Sequence, residues 1–182
     1  MPRPRAGAPP SERDRPGARA DNPGAGSMRI TIVAIGQRQP RWADEAIADF
    51  LKRFPADFSV SVRELKPEPR DGRPPERLRA AESERLRVAL PSGSVTVALD
   101  ERGRDLTSAG LAEQLGRWRD SGEAPAFVIG GPDGLSDEFR RGAQLLLRLS
   151  SMTLPHALAR LLLVEQLYRA WSILNRHPYH RA

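Results

Sequence analysis

Cysteine is absent from this 182-residue sequence, which excludes disulfide bridges, a thiolate nucleophile and any cysteine-based metal site. No apolar run approaches the roughly 18 residues that a membrane-spanning helix needs. Both absences are typical of a protein of the reducing cytoplasm. We therefore expect a cytoplasmic location and no contact with a membrane.

Lysine is almost absent too, because 27 of the 29 basic residues are arginine. Many Ala, Gly and Pro residues accompany the arginines, so biased codon usage explains the excess as well as phosphate chemistry does. The net charge is +6, and residues 1–27 contribute +2 of it. The remaining +4 permits an RNA partner without requiring one.

Residues 1–27 lack large apolar side chains, since Leu, Ile, Val, Phe, Tyr and Trp are all missing there. With six prolines and five arginines, this stretch cannot bury enough apolar surface to offset the entropy of ordering, and we predict disorder. It has no apolar core of a signal peptide, and its prolines exclude a transit helix. Met28, followed at once by an apolar strand pattern, resembles the natural start. We therefore favour a start codon assigned too far upstream over a genuine N-terminal extension. Residues 28–182 are predicted to form a single domain.

Short apolar strands alternate with amphipathic helices through the rest of the chain. The pattern predicts strands at 29–36, 58–65, 94–99, 126–129 and 145–149. It predicts helices at 42–54, 76–90, 107–119 and 155–174, with a short one after Ser136. This alternation indicates an α/β fold, a parallel sheet with helices on both faces.

Ligands of such sheets bind beyond the carboxyl ends of the strands, where three loops qualify here. One follows Leu99, one is Gly130–Gly134, and one is Ser150–Pro155. Glycines after a buried strand let the backbone approach a ligand closely. The glycine loop matches neither GxGxxG nor a Walker motif, which argues against a dinucleotide or a nucleoside triphosphate. A tight strand-to-helix turn is the alternative interpretation.

The helix predicted at 155–174 carries a guanidinium, that of Arg160, on an apolar face. A buried guanidinium needs a carboxylate, a backbone acceptor or a ligand. His156 lies one turn earlier and points in nearly the same direction. The pair either faces an anionic or nucleic-acid substrate, or consists of a salt-bridged arginine at a subunit contact beside a capping histidine. Because the helix is apolar nearly all round, we expect a second subunit to cover it.

The C-terminal residues are rich in titratable groups, and all three histidines lie in the last 27 residues. Such a cluster is either a site formed by a folded-back chain end or a group of solvated side chains that have no role. His177 and His180 are three residues apart, but Pro178 interrupts any helix and no acidic residue follows. A zinc site is therefore not expected, and no metal is predicted.

Several of these segments, taken together and in order, resemble the RlmH family. Its members are bacterial ribosomal large-subunit pseudouridine N3-methyltransferases, minimal representatives of the SPOUT class. The resemblance covers essentially all of residues 28–182. It is carried by the segments 29–36, 50–55, 128–135, 154–156, Arg160, 168–172 and 177–181.

The resemblance implies that the C-terminal part of the fold forms a deep trefoil knot, which is rare among proteins. The loops of the knot would hold S-adenosylmethionine, largely through backbone groups. By position, the cofactor-binding residues would be Leu99, Gly130, Gly131, Ser150, Ser151, Met152, Thr153, Leu154 and Pro155. The family works as a homodimer whose active site is built at the interface.

The implied substrate is a pseudouridine of 23S rRNA, methylated at N3 on the assembled ribosome. The hypothesis is that His156 or His180 assists deprotonation of N3 or orients the base. Arg160 and Arg181 would hold phosphate or stabilise the developing anion, and Tyr179 would stack on or hydrogen-bond the uracil ring.

Two other classes compete with this interpretation. A non-catalytic, ribosome-associated knotted module is the main alternative. A metal-dependent phosphohydrolase would need a cluster of carboxylates near the terminal histidines, which the sequence lacks.

Overall fold

The fold is a five-stranded parallel sheet, seen in a computed structural model that describes residues 26–37 and 39–181. The strand order is β2-β1-β4-β3-β5, and every neighbouring pair runs parallel. The strands are β1 Met28–Ile35, β2 Phe58–Leu65, β3 Val95–Asp105, β4 Pro125–Ile129 and β5 Leu145–Arg148.

Five α-helices cover both faces of the sheet, and a 3-10 helix ends the chain at Pro178–Arg181. The α-helices are α1 Arg41–Arg53, α2 Pro75–Ala89, α3 Ser108–Asp120, α4 Asp137–Gly142 and α5 His156–Leu174. One core cluster joins α1, α3 and α5 to one face of the sheet, and a second joins α2 and α4 to the other. The predicted α/β class, with a parallel sheet between helices, is therefore confirmed.

Two predicted helix starts are confirmed by their capping bonds. The Thr107 hydroxyl accepts a hydrogen bond from the Gly110 amide at 3.0 Å, and the Ser136 hydroxyl accepts one from the Phe139 amide at 3.2 Å. The start of α5 differs from the prediction. Pro155 was expected at the first helical position, but its extended backbone makes it the N-cap, and the helix begins at His156.

Strand β3 is longer than the sequence suggests, because it continues past Leu99 to Asp105. The charged residues after Leu99 show no apolar alternation, so the prediction ended the strand there. The extension pairs with β5 after a shift of register, and the Arg148 Nε donates to Asp105 at 2.7 Å. Gly103 permits this pairing, since a Cβ there would lie 2.5 Å from the Leu147 carbonyl carbon.

Trp42 also departs from expectation. The apolar pattern of α1 placed it on the inward side, yet it is 51% exposed, whereas Ile47 of the same helix is buried. The prediction of disorder for residues 1–27 falls almost wholly outside the described residues. Within the described ranges, no helix has the length and apolar character needed to cross a membrane.

Candidate functional site

The loops after β4 and β5 and the outer part of β3 meet at one edge of the sheet and line a cavity of about 470 Å³. β3, β4 and β5 are neighbours in the strand order, so their outer ends lie side by side. These are the three segments that the sequence singled out as ligand-binding candidates, but the one after Leu99 continues β3 and is not a loop. The topology brings them together even though about 50 residues separate the first from the last.

Most of the residues predicted to bind a cofactor line this cavity. They are Leu99, Gly130, Gly131, Ser150, Ser151, Met152, Thr153 and Leu154. Pro155 is the one predicted residue that does not line it, since it caps α5. Sequence reasoning missed Asp100, Glu101 and Arg102, which also line the cavity. Their position directly after the apolar run that ends at Leu99 was the available signal, because that position lies toward the ligand edge of a parallel sheet.

The glycine loop forms its wall of the cavity from main chain. The Gly134 amide donates to the Gly131 carbonyl at 2.9 Å, and Gly134 has a φ of +79°, which a side chain would strain. A Cβ on Gly130 would lie 3.0 Å from the Gly134 carbonyl carbon. The loop is thus a tight turn and a cavity wall at once, so the two sequence interpretations do not exclude each other.

A buried ion pair connects two sides of the cavity. The Arg140 guanidinium donates to Asp100 at 3.3 Å and to the Leu135 carbonyl at 2.8 Å. The side chains of Asp100 and Arg140 are only 9% and 13% exposed. This pair holds β3 against the segment that follows the glycine loop.

His156 lines the cavity from the first turn of α5. Partial burial lowers the pKa of its imidazole below the ordinary value, and the nearby positive charge of Arg160 lowers that pKa further. The ring is therefore neutral near neutral pH. A neutral imidazole can accept a proton, which is what a general base in the cavity would have to do.

Arg160 lies deep in the fold and does not line the cavity. Its side chain is 1% exposed, forms an ion pair with Glu64 on β2, and donates to the Gly36 carbonyl at 3.1 Å. These contacts match the alternative of a salt-bridged arginine. Arg160 thus faces β1 and β2, and its visible influence on the cavity is electrostatic, through His156. A direct contact with substrate stays a prediction.

The C-terminal residues pack on α5 rather than at the cavity of their own chain. The Tyr179 ring lies 4.8 Å from that of Tyr168, centroid to centroid, and its hydroxyl donates to Glu165 at 3.0 Å. Burial and the bond to Glu165 raise the pKa of the Tyr179 hydroxyl, so the group stays protonated. His180 contacts the His177 carbonyl at 2.5 Å.

Of the terminal residues that the structure describes, neither Tyr179, His180 nor Arg181 lines the cavity. The catalytic residues suggested by the resemblance therefore divide into two groups within one chain. His156 is at the cavity, and the terminal trio is at the opposite end of α5. Among residues 26–37 and 39–181, no group of three or more His, Asp or Glu side chains could hold a metal ion.

Comparisons with known proteins place the chain in a family. The model of the family described as "Predicted SPOUT methyltransferase" matches residues 28–180. A relative from Bordetella avium (strain 197N), named "Ribosomal RNA large subunit methyltransferase H", is 53% identical over 85% of this chain and all of its own length. A relative of the same name from Paracidovorax citrulli (strain AAC00-1) is also 53% identical, over 85% of this chain and 99% of its own.

A solved structure of a probable methylase family protein from Haemophilus influenzae Rd KW20 is 16% identical, with a TM-score of 0.48. The match covers 83% of this chain and 69% of that one. The match to the family model and the identity to the two relatives extend over most of the chain. The chain therefore belongs to the RlmH family of ribosomal RNA large subunit methyltransferases, within the SPOUT methyltransferases.

Proposed function

We propose that this protein is a cytoplasmic enzyme that methylates N3 of a pseudouridine in 23S rRNA on the assembled ribosome, with S-adenosylmethionine as methyl donor. The observation that carries the proposal is the cavity at the ends of β3, β4 and β5, with the neutral imidazole of His156 in its wall. Family membership supplies the reaction class, since the relatives are named as methyltransferases of large-subunit ribosomal RNA.

The cavity suits S-adenosylmethionine in size and in lining. Its volume of about 470 Å³ lies within the range of small-molecule sites. Gly130 and Gly131 expose main chain to the ligand, and the loop 150–154 adds hydroxyl and amide groups. When bound, the cofactor would supply an electrophilic methyl group on a sulfonium.

His156 would act on the proton at N3 of the pseudouridine. This N–H is a weak acid, and it must be lost for the nitrogen to bond the methyl carbon. The neutral imidazole would accept that proton, and the bound cofactor would supply the methyl group. The depressed pKa keeps His156 in the acceptor form before the reaction. Arg160 contributes by holding the first turn of α5 and by its charge.

A homodimer is part of the proposal, and it accounts for the position of the chain end. Large apolar side chains near the cavity are exposed in the single chain, namely Met152 at 73% and Leu158 at 41%. A second copy that covers them would bring its own Tyr179, His180 and Arg181 toward the cavity. There Arg181 would hold phosphate and Tyr179 would contact the uracil ring. We also propose that the chain forms a deep trefoil knot around the segments that line the cavity.

The decisive experiment supplies the purified protein and labelled S-adenosylmethionine to ribosomes from a strain that lacks the gene. Transfer of one methyl group to a 23S rRNA fragment, located by mass spectrometry at N3 of a pseudouridine, is the expected result. Naked 23S rRNA should be a poor substrate, because a +4 domain has little charge for RNA that is not preorganised. A protein that binds ribosomes but transfers no methyl group would instead be the non-catalytic module.

The roles of the histidines can be separated by single-turnover rates on ribosomes. We expect His156→Ala to lower the single-turnover rate about a hundredfold or more, which is the range typical of a general base. His180→Ala tests the competing assignment, and His177→Ala is the matched control from the same terminal segment. Full rates in both His156→Ala and His180→Ala would refute the general-base hypothesis.

A further inference from the structure

A buried carboxylate lies directly behind the glycine loop. Glu82 of α2 is 4% exposed, and its Oε1 accepts a hydrogen bond from the Glu68 amide at 3.0 Å. Its Oε2 is buried and has no hydrogen-bond partner among the described residues. A buried carboxylate oxygen with no donor is costly, so one that is retained calls for a function.

The free oxygen of Glu82 points at the cavity wall. A Cβ added to Gly131 would collide with Oε2 and lie 3.0 Å from the Glu82 Cδ. Since a Cβ lies about 1.5 Å from its Cα, the carboxylate is in van der Waals contact with the Gly131 backbone. Gly131 lines the cavity on its other side. Only the thickness of one glycine residue therefore separates the carboxylate from the ligand space.

Neighbouring contacts tie the glycine loop and the segment after it to α2 and to the loop before α2. The Ser83 hydroxyl, next along α2, accepts from the Ser136 amide at 2.9 Å just beyond the glycine loop. On the outer side, Arg70 pairs with Asp133 of the loop at 2.9 Å. Both oxygens of a purely structural carboxylate would be satisfied by such contacts. The oxygen that these contacts leave free is the one that lies against Gly131.

We propose that Glu82 is a positioning residue whose negative charge, placed behind Gly131, favours the positively charged methyl donor over its neutral thioether product. The inference rests on the proposed cofactor. S-adenosylmethionine carries a sulfonium, whereas S-adenosylhomocysteine, after methyl transfer, does not. A charge buried behind one residue of wall acts through a medium of low effective dielectric, so it discriminates between two ligands of nearly the same shape. The same contact explains why residue 131 must be glycine.

The test compares the dissociation constants of both ligands, measured by calorimetry, for the wild type and Glu82→Gln. The glutamine keeps the shape and removes the charge. We expect it to weaken binding of S-adenosylmethionine about three- to tenfold and to change that of S-adenosylhomocysteine less than about twofold. Glu138→Gln, an exposed carboxylate on α4, is the matched control and should leave both constants unchanged. Equal losses for both ligands, or no loss, would overturn the role of the charge.

A second pair of variants tests the contact without relying on Glu82→Gln to fold. Gly131→Ala should abolish or greatly weaken binding of both ligands, and adding Glu82→Ala should restore part of it because the colliding side chain is gone. A double variant that binds no better than Gly131→Ala would overturn the contact. A wild type that binds neither ligand would overturn the proposed cofactor as well, an outcome distinct from wild-type binding with an unchanged ratio in Glu82→Gln.

Discussion

The cavity and the C-terminal segment are built by different means. The cavity is made of two short loops and the outer part of β3, and sheet topology brings them together. The C-terminal segment is held by aromatic side chains, with Tyr179 packed on Tyr168 and Phe50. The first depends on strand pairing and the second on local packing. Cofactor binding and docking of the chain end can therefore fail separately.

The largest expected effect comes from breaking the sheet beneath the cavity. Gly103→Ala places a Cβ 2.5 Å from the Leu147 carbonyl carbon, where only backbone could move to make room. We expect the free energy of unfolding to fall by about 3 kcal/mol. The melting temperature should fall by roughly 6–12 °C. Gly142→Ala is the matched control, because nothing lies within 4 Å of a Cβ there. Equal melting temperatures for the two variants would contradict the close pairing of β3 with β5.

A smaller fall in the free energy of unfolding is expected from Arg160→Met, which leaves Glu64 and the Gly36 carbonyl without their partner. Because the Glu64 side chain is 36% exposed, water compensates in part, and the loss should be about 2 kcal/mol in urea unfolding. Arg41→Met removes an ion pair whose members are 91% and 62% exposed, and it should cost under about 0.5 kcal/mol. If both variants cost the same, the buried pair does not anchor α5.

Deleting residues 179–182 separates the two regions most directly. The cavity is untouched, so binding of S-adenosylmethionine should stay within about twofold of the wild type. Methylation of ribosomes should fall at least about tenfold, and lost contacts of Tyr179 should cost about 1–2 kcal/mol of stability. Tyr179→Phe, which removes only the bond to Glu165, should keep most of the activity. Normal methylation by the truncated protein would show that the chain end has no part in the reaction.

The smallest expected effect is a dependence on pH that involves His156. Its pKa in the folded protein lies below that of the unfolded chain, so the unfolded state binds more protons as the pH falls through about 6.5. Wild-type stability should therefore decline from pH 7.5 to pH 5.5 more than that of His156→Gln, as judged by urea midpoints. In Arg160→Met, nuclear magnetic resonance should show the pKa of His156 rising. A pKa that does not move would rule out the influence of Arg160.

The sequence predicted the fold class and the segments that line the cavity because both follow from local patterns. Apolar strands alternating with helices specify a parallel sheet, and the segments after Leu99, Ile129 and Arg148 must then share one edge. The extension of β3 to Asp105 could not be predicted, since its residues are charged and its pairing depends on Gly103 meeting β5.

Contacts between side chains of distant elements could not be predicted from the sequence either. The pairing of Arg160 with Glu64 joins residues 96 positions apart, and no periodicity reveals such a partner. In the sequence, Glu82 is one of many charged residues of a highly charged helix. Its position behind Gly131 is visible only in the packed structure. The pattern of α1 suggested that Trp42 is inward, although a helix periodicity fixes relative directions and not which residue lies at the boundary of the buried face.

The exposed position of Trp42 gives the molecule an optical probe of its own. Trp118 is buried in the core and Trp171 is packed on Tyr168, so a dissolved quencher such as acrylamide would reach mainly the indole of Trp42. Emission from this ring reports what happens at the surface of α1, while the buried ring of Trp118 reports the interior. Dilution series followed by quenching can thus reveal whether a second copy or a ribosome covers that surface, without any attached dye.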